Sequence, residues 1–92
     1  MEILDEDARN SLAETMPDWE VDGETLRRTL TFDDFKTAFG FVATVALAAE
    51  RANHHPDIDI RWNEVTLALS THSAGGLTQR DVDLAGIIDR LA

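Results

Sequence analysis

The amino-acid sequence predicts an α+β domain in which helices and strands follow the order α-β-β-α-β-β-α. Three segments repeat apolar residues every three or four positions, the spacing of a helix with one face in a core. Two other regions alternate apolar and polar residues on both sides of a short turn, as β-hairpins do. With 92 residues and no linker-like stretch, the chain is predicted to be a single domain over residues 1–92.

The first half of the chain begins with a predicted helix and a predicted hairpin. Residues 5–16 carry apolar side chains four positions apart and end just before Pro17, which is typical of a short amphipathic helix. The pair Asp22-Gly23 is a turn signal. Because apolar and polar residues alternate on both sides of it, we expect strands over residues 19–22 and 25–32.

A long helix is predicted over residues 35–53, with Asp33 or Asp34 as its N-cap. Its apolar residues surround most of the helix instead of forming one stripe, and they are Phe35, Ala38, Phe39, Phe41, Val42, Val45, Ala46, Ala48 and Ala49. Such a helix needs cover on two sides. We expect one side to meet the sheet and the other to meet a second subunit, in a homodimer or homotetramer. The alternative is a helix enclosed entirely in its own core.

A second hairpin is predicted around Asn63-Glu64, taken as a two-residue loop. The alternating apolar residues on its two sides are Ile58, Ile60, Trp62, Val65, Leu67 and Leu69. This loop pairs Trp62 with Val65 across the strands. The same register, extended outward, places His55 opposite His72.

The last helix is predicted to begin at Thr78-x-x-Asp81, which resembles a capping box with Asp in place of the usual Glu. Its core face consists of Leu84, Ala85, Ile88 and Leu91. Because Asp81 precedes Leu84 and Ala85 by three and four positions, its side chain is expected to lean toward the interior.

The composition excludes several classes of protein. Eight basic and eighteen acidic residues give a net charge of −10, and such a chain repels nucleic-acid phosphates and anionic membranes. The longest nearly apolar run, residues 39–49, is much shorter than the ~20 residues of a membrane-spanning helix. The chain contains no cysteine, which excludes disulfides and thiolate metal ligands. Its acidic N-terminus does not resemble a secretory signal, so we expect a soluble, cytoplasmic protein.

Three histidines and two carboxylates form the candidate site. His54 and His55 follow the long helix, and the predicted hairpin register brings His72 toward them. Glu50 lies four positions before His54, and Asp81 lies in the first turn of the last helix. An imidazole can give or take a proton near neutral pH, and a carboxylate can fix its tautomer. These residues together predict acid–base chemistry.

Two other interpretations of the same residues stay open. Glu50 and His54 have the i, i+4 spacing of metal ligands on a helix, although adjacent His54 and His55 side chains point in different directions. Taken singly, each histidine could also be an exposed residue in a structural turn.

The spacing of these residues is that of a known family. They form the motif Glu50-x3-His54-His55-Pro56-x5-Trp62-x9-His72-x8-Asp81, which resembles the signature of the pterin-4a-carbinolamine dehydratases. The resemblance extends over residues 19–92, including the segments DDFKTAFGFVATVALAAE and LSTHSAGGLTQRDVDLA. It implies a four-stranded antiparallel sheet with three helices on one face, and a homodimer or homotetramer.

The resemblance also implies an activity. The family removes water from 4a-hydroxytetrahydropterin to give quinonoid dihydropterin, which recycles the tetrahydropterin used by aromatic amino acid hydroxylases. This hydro-lyase reaction needs a general acid and a base but no cofactor or metal, and its partner is a small-molecule pterin. Two alternatives come with the family: a non-catalytic dimerisation cofactor of a transcription factor, and a role in molybdopterin-related metabolism.

Individual roles follow from the same resemblance. His54 and His55 are similar to the acid–base pair, and His72 is similar to the residue that holds the pterin and shares in proton transfer. The residues implied to orient the histidines or contact the pterin are Glu50, Asp81, Arg80, Trp19 and Trp62. Asn53 occupies a position where some relatives carry Asp. For the two tryptophans, packing in the strands is the alternative role.

Overall fold

The computed structural model describes residues 2–92 and contains three helices and four strands in the predicted order. The elements are α1 (Glu6–Thr15), β1 (Glu20–Asp22), β2 (Thr25–Thr31), α2 (Phe35–Ala52), β3 (Asp57–Arg61), β4 (Glu64–Leu69) and α3 (Gln79–Leu91). The predicted fold class is confirmed. Within residues 2–92, no helix combines the length and the apolar character needed to cross a membrane.

The four strands form one antiparallel sheet in the order β1-β2-β4-β3. The central strands β2 and β4 join the two hairpins, with Leu26 opposite Leu69 and Leu30 opposite Val65. Side chains alternate between the two faces of a sheet. One face therefore carries these four residues and Leu67, all buried against the helices, while the other face is polar.

The predicted register of the second hairpin is wrong by two residues. Arg61 pairs with Glu64, so the loop consists of Trp62, with a left-handed φ of 50°, and Asn63. Two hydrogen bonds to the end of β2 hold Asn63 in this loop: its side-chain amide donates to the Phe32 carbonyl (2.8 Å), and its carbonyl accepts from the Phe32 N–H (2.9 Å). Because the shift is even, the apolar side chains stay on the predicted face.

Helix α2 has one apolar side in the core and another at the surface. The core side consists of Ala38, Phe41, Val45 and Ala49. On the other side Phe39 is 54% exposed and Leu47 is 74% exposed. The alternative of a helix enclosed entirely in its own core is therefore wrong. The exposed apolar side agrees with the expectation that α2 needs cover on two sides, although Phe41 lies in the core and Ala46 is exposed.

The segment before α1 supports the start of α3. The Leu4 N–H donates to the Leu77 carbonyl over 2.8 Å, and Ile3 forms an antiparallel bridge with Thr78. Leu77 and Thr78 are completely buried. The N-terminal segment thus fixes the loop from which the last helix begins, and that helix carries Asp81.

Candidate functional site

The end of α2 determines how the two adjacent histidines are presented. Asn53 is the C-cap and adopts a left-handed conformation with φ of 51°, which Asn tolerates better than most residues. Its N–H donates to the Glu50 carbonyl (3.2 Å), and the His54 N–H donates to the Ala49 carbonyl (3.1 Å). The Arg80 guanidinium donates to the Asn53 carbonyl, placing a cation at the negative end of the helix. The chain therefore turns sharply at His54.

His54 points into the protein toward a buried carboxylate. Its Nε2 atom lies 2.5 Å from Asp81 Oδ1, and the Asp81 side chain is completely buried. The other carboxylate oxygen accepts hydrogen bonds from the Thr78 N–H (2.9 Å) and the Thr71 hydroxyl (2.8 Å). The predicted capping box at Thr78 and Asp81 is present. Asp81 therefore leans inward as expected, and it both caps α3 and contacts His54.

His55 points toward the surface and contacts a different carboxylate. Its Nε2 atom lies 2.8 Å from Glu50 Oε2, and both side chains are largely exposed. Adjacent His54 and His55 thus have separate partners, one buried and one exposed. Because the two rings diverge, they do not converge on one point, as shared ligation of a metal ion would require.

His72 lies at the start of a tight turn after β4, and its side chain is exposed. The preceding residue, Thr71, closes this turn by donating its N–H to the Gly76 carbonyl (3.0 Å) and accepting from the Gly75 N–H (3.0 Å). The predicted cross-strand pairing of His55 with His72 is wrong, because the hairpin register differs by two residues. His72 is instead connected to the buried pair through Thr71, whose hydroxyl contacts Asp81.

The two tryptophans lie away from the histidines within one chain. Trp19 is buried, and its indole N–H donates to Asp89 Oδ1 over 2.8 Å. Asp89 follows Asp81 by eight positions, which is about 12 Å along a helix. Trp62 lies in the loop at the opposite end of β3 from the histidines, about 17 Å along a five-residue strand. For Trp19 the structure supports the packing alternative.

Thr71 is a site residue that no motif in the sequence indicates. It is buried, and its hydroxyl contacts both Asp81 and the Thr78 hydroxyl (2.8 Å each). Its position immediately before His72 is the only signal that the sequence offers. The capping-box motif predicts Thr78 as a helix cap but does not predict its place in a network that includes a histidine.

The site contains two adjacent groups that can transfer protons, His54 and His55. His54 is held by a buried carboxylate, and His55 is held by an exposed one. Each imidazole uses its Nε2 atom in this contact and retains a second ring nitrogen for another molecule. Two imidazoles in different environments are suited to act as separate acid and base.

Comparisons of the sequence with known proteins identify one family. Residues 2–91 match the family model described as pterin 4 alpha carbinolamine dehydratase. A protein of Nocardia farcinica named as a candidate pterin-4-alpha-carbinolamine dehydratase is 53% identical over 99% of this chain and 96% of its own. A Thermomicrobium roseum protein of the same name is 49% identical over 100% of this chain and 99% of its own.

Solved structures agree with the sequence matches. A crystal structure from Brucella melitensis, described as a transcriptional coactivator/pterin dehydratase, superposes with a TM-score of 0.92 at 38% identity and covers 99% of both chains. A pterin dehydratase-like protein, described as a RuBisCO assembly factor in the alpha-carboxysome, superposes with a TM-score of 0.66 at 20% identity. It covers 80% of this chain and 86% of its own, and it shares the fold.

Proposed function

Because this chain belongs to the pterin-4a-carbinolamine dehydratase family, we propose that it removes water from 4a-hydroxytetrahydropterin. The product is the quinonoid dihydropterin, and the reaction serves to recycle tetrahydropterin. The observation that carries the proposal is the pair of adjacent histidines with separate carboxylate partners. Membership of the family indicates the class of substrate. The two histidines provide groups that can transfer the protons of the reaction.

The reaction is a 1,2-elimination that needs one acid and one base. The bond from C4a to its hydroxyl breaks and the oxygen leaves as water after taking a proton. The proton on N5 is lost, and the electrons of that N–H bond form the C4a–N5 double bond. One proton is given and one is taken, so the enzyme returns to its starting protonation state without oxidation or reduction.

We assign the two proton transfers to His54 and His55. Their side chains lie next to each other but are oriented by different carboxylates, Asp81 and Glu50. His72, exposed in the neighbouring turn, is assigned to holding the pterin and sharing in proton transfer. Arg80 is assigned a positioning role, because its guanidinium contacts the Asn53 carbonyl next to His54.

The proposal also includes self-association through α2 into a homodimer or homotetramer. The exposed apolar residues Phe35, Phe39 and Leu47 lie on the side of α2 that its own chain leaves uncovered. Burying a fully exposed side chain of this kind contributes roughly 1.5–3 kcal/mol, and Phe35 and Phe39 still have about half of their surface to cover. For a chain of this size, which buries a modest fraction of its surface on folding, that contribution is large.

The direct test is the decay of freshly prepared 4a-hydroxytetrahydropterin at neutral pH. The purified protein is expected to accelerate this decay in the presence of a metal chelator, since the proposed groups are histidines. The matched control is the double variant His54→Ala, His55→Ala at the same concentration. A wild-type protein that leaves the decay rate equal to that in buffer contradicts the proposal.

A second candidate function is suggested by the Brucella melitensis protein, whose description includes transcriptional coactivator. A chain with a net charge of −10 is suited to contact a protein partner and not DNA. Stable binding to a transcription regulator by a protein that has no dehydratase activity would favour this candidate over the enzyme.

A further inference from the structure

The Thr71 hydroxyl lies at the centre of a buried hydrogen-bond chain that ends at His54. It is 2.8 Å from Asp81 Oδ2 and 2.8 Å from the Thr78 hydroxyl. The Thr78 hydroxyl in turn accepts from the Arg80 backbone N–H over 3.3 Å. Thr71, Thr78 and Asp81 are all buried, so water cannot readily replace any of these contacts.

The direction of each bond in this chain follows from counting protons. A threonine hydroxyl has one proton to donate. The Thr71 proton goes to the Asp81 carboxylate, so Thr71 cannot also donate to Thr78. The Thr78 hydroxyl must therefore donate to Thr71. The Thr71 hydroxyl consequently donates to Asp81, and the Thr78 hydroxyl donates to Thr71.

An ionised Asp81 fixes the tautomer of His54. Asp81 lies in the first turn of α3, where the helix dipole favours a negative charge, and Oδ2 already accepts two hydrogen bonds. As an ionised carboxylate it can only accept, so the His54 Nε2 atom at Oδ1 must carry a proton. The lone pair of neutral His54 is then on Nδ1.

The Nδ1 atom of His54 is the one that can meet a ligand. The hydrogen bonds formed among residues 2–92 include none to this atom, whereas Nε2 contacts Asp81. In the same residues every fully buried side-chain nitrogen or oxygen atom has a partner, so Nδ1 is not fully buried. It can therefore exchange a proton with a bound molecule.

We propose that Thr71 is a positioning residue that sets the tautomer of His54 through Asp81 and directs Nδ1 to the substrate. Its backbone also closes the turn that carries His72. Thr71 thus couples the orientation of the buried His54 to the placement of the exposed His72. The proposed effect on turnover rests on the dehydratase function, whereas the effect on the His54 tautomer does not.

The tautomer is tested by nitrogen-15 NMR of the imidazole rings, which is tractable because the chain has three histidines. In wild-type protein at a pH where His54 is neutral, the expected spectrum shows a protonated Nε2 and an unprotonated Nδ1. In Thr71→Val, which is close in shape but lacks the hydroxyl, His54 should lose this single tautomer. His55, which contacts Glu50, is the internal control and should be unchanged.

Kinetics of Thr71 variants test whether the tautomer matters for turnover. Thr71→Val is expected to lower kcat roughly 10-fold to 100-fold, the equivalent of one lost hydrogen bond to a charged group, with little change in KM. Thr71→Ser should restore most of the activity because it restores the hydroxyl. The matched control is Thr66→Val, which removes a hydroxyl bonded to Thr29 on the polar face of the sheet and should leave kcat unchanged.

The outcomes separate this inference from the proposed function. A wild-type His54 with its proton on Nδ1 overturns the inference, as does a Thr71→Val protein with unchanged tautomer and unchanged kcat. An inactive wild-type protein whose His54 tautomer still depends on Thr71 contradicts the dehydratase alone. Should Thr71→Val fail to fold, the wild-type spectrum decides: protonated Nε2 with a Thr71 hydroxyl proton protected from exchange supports the inference, and an unprotected hydroxyl overturns it.

Discussion

His54 Nε2 lies 2.5 Å from Asp81 Oδ1, although 27 positions separate the two residues in the sequence. The contact joins the end of α2 to the start of α3. A second link between the same two ends is the bond from the Arg80 guanidinium to the Asn53 carbonyl. The position of His54 therefore depends on how these two helix ends meet, and Asp81 serves both stability and the site.

We predict that Asp81→Asn lowers both the stability of the fold and the turnover number. The asparagine amide has nearly the same shape as the carboxylate but carries no negative charge. The carboxylate oxygens accept the Thr78 N–H in the capping box and contact His54 Nε2. Hydrogen bonds to buried charged groups contribute about 1.5–3 kcal/mol, so the free energy of unfolding should fall by about that amount in a urea titration.

The control for this change is Asp83→Asn in the same helix. Asp83 is exposed and accepts from the Gln79 side chain over 2.9 Å, an interaction that contributes little at the surface. Equal stability and equal turnover of the Asp81→Asn and Asp83→Asn proteins would show that the buried carboxylate has no special role.

The fold could be predicted because local patterns specify each element. The four-residue apolar spacing of α1, the alternation in β2 and β4, and the Thr78 capping box all depend on neighbours in the sequence. The register of the second hairpin could not be predicted in this way. It depends on hydrogen bonds between Asn63 and Phe32, residues 31 positions apart, and such contacts leave no trace in a local pattern.

In the candidate site, too, sequence patterns could be read, whereas contacts between residues distant in the sequence could not. The motif spacing identified His54, His55, Glu50 and Asp81, and the structure places them in two contacting pairs. The motif spacing could not identify Thr71, because a threonine before a turn is common. The role of Thr71 depends on its contact with the buried Asp81 side chain. The resemblance to the family motif places Trp62 among the residues that contact the pterin, yet within one chain β3 separates it from the histidines.

The exposed side of α2 provides a prediction about assembly. Leu47→Glu places a charge on an apolar side chain that is 74% exposed in the single chain, so it should not unfold the subunit. If α2 forms the interface, the wild-type protein should be a dimer or tetramer and the variant should dissociate toward the monomer. Light scattering at micromolar concentration measures this, in enough salt to screen a net charge of −10 per chain.

Leu91→Glu is the matched control for the assembly prediction. Leu91 is also an exposed apolar residue, 39% exposed, so its predicted place on the core face of α3 is wrong. It lies at the end of that helix. Its replacement should leave the mass of the assembly unchanged. A monomeric wild-type protein, or equal masses for the wild type and Leu47→Glu, would contradict an interface on this side of α2.

Asp34 provides a prediction about pH. It is the N-cap of α2 and accepts the Thr37 N–H over 2.7 Å. The Thr37 side chain and this backbone bond favour the charged form and lower the pKa of Asp34. A carboxylate with a lowered pKa stabilises the fold at neutral pH, and this contribution is lost as the pH falls from about 4 through the lower pKa of the folded state.

Asp34→Ala should therefore lower Tm by a few degrees at pH 7, and the difference from wild type should shrink as the pH falls below about 4. Asp33→Ala is the control, since the adjacent Asp33 is exposed and does not cap the helix. Thermal unfolding followed by circular dichroism gives both values. A Tm difference between Asp34→Ala and wild type that grows as the pH falls would contradict this prediction.

The last prediction separates the roles of the histidines. His54→Ala and His55→Ala each remove a proposed proton-transfer group and should chiefly lower kcat, by roughly 10²–10⁴-fold. His72→Ala removes a group assigned mainly to holding the pterin, so KM should rise at least as much as kcat falls. The reason lies in the structure: the first two rings are held by carboxylates, whereas His72 is exposed on a separate turn.

Steady-state kinetics with 4a-hydroxytetrahydropterin measure these effects, and urea titrations check that the variants are folded. His55→Ala serves as the folding reference because His55 is exposed, whereas His54→Ala leaves the buried Asp81 carboxylate without one of its donors. Glu50→Gln should reproduce part of the His55→Ala defect while leaving stability unchanged, since both side chains of that pair are at the surface. Near-normal turnover by the His54→Ala, His55→Ala double variant would end the acid–base assignment and leave the two histidines as turn residues.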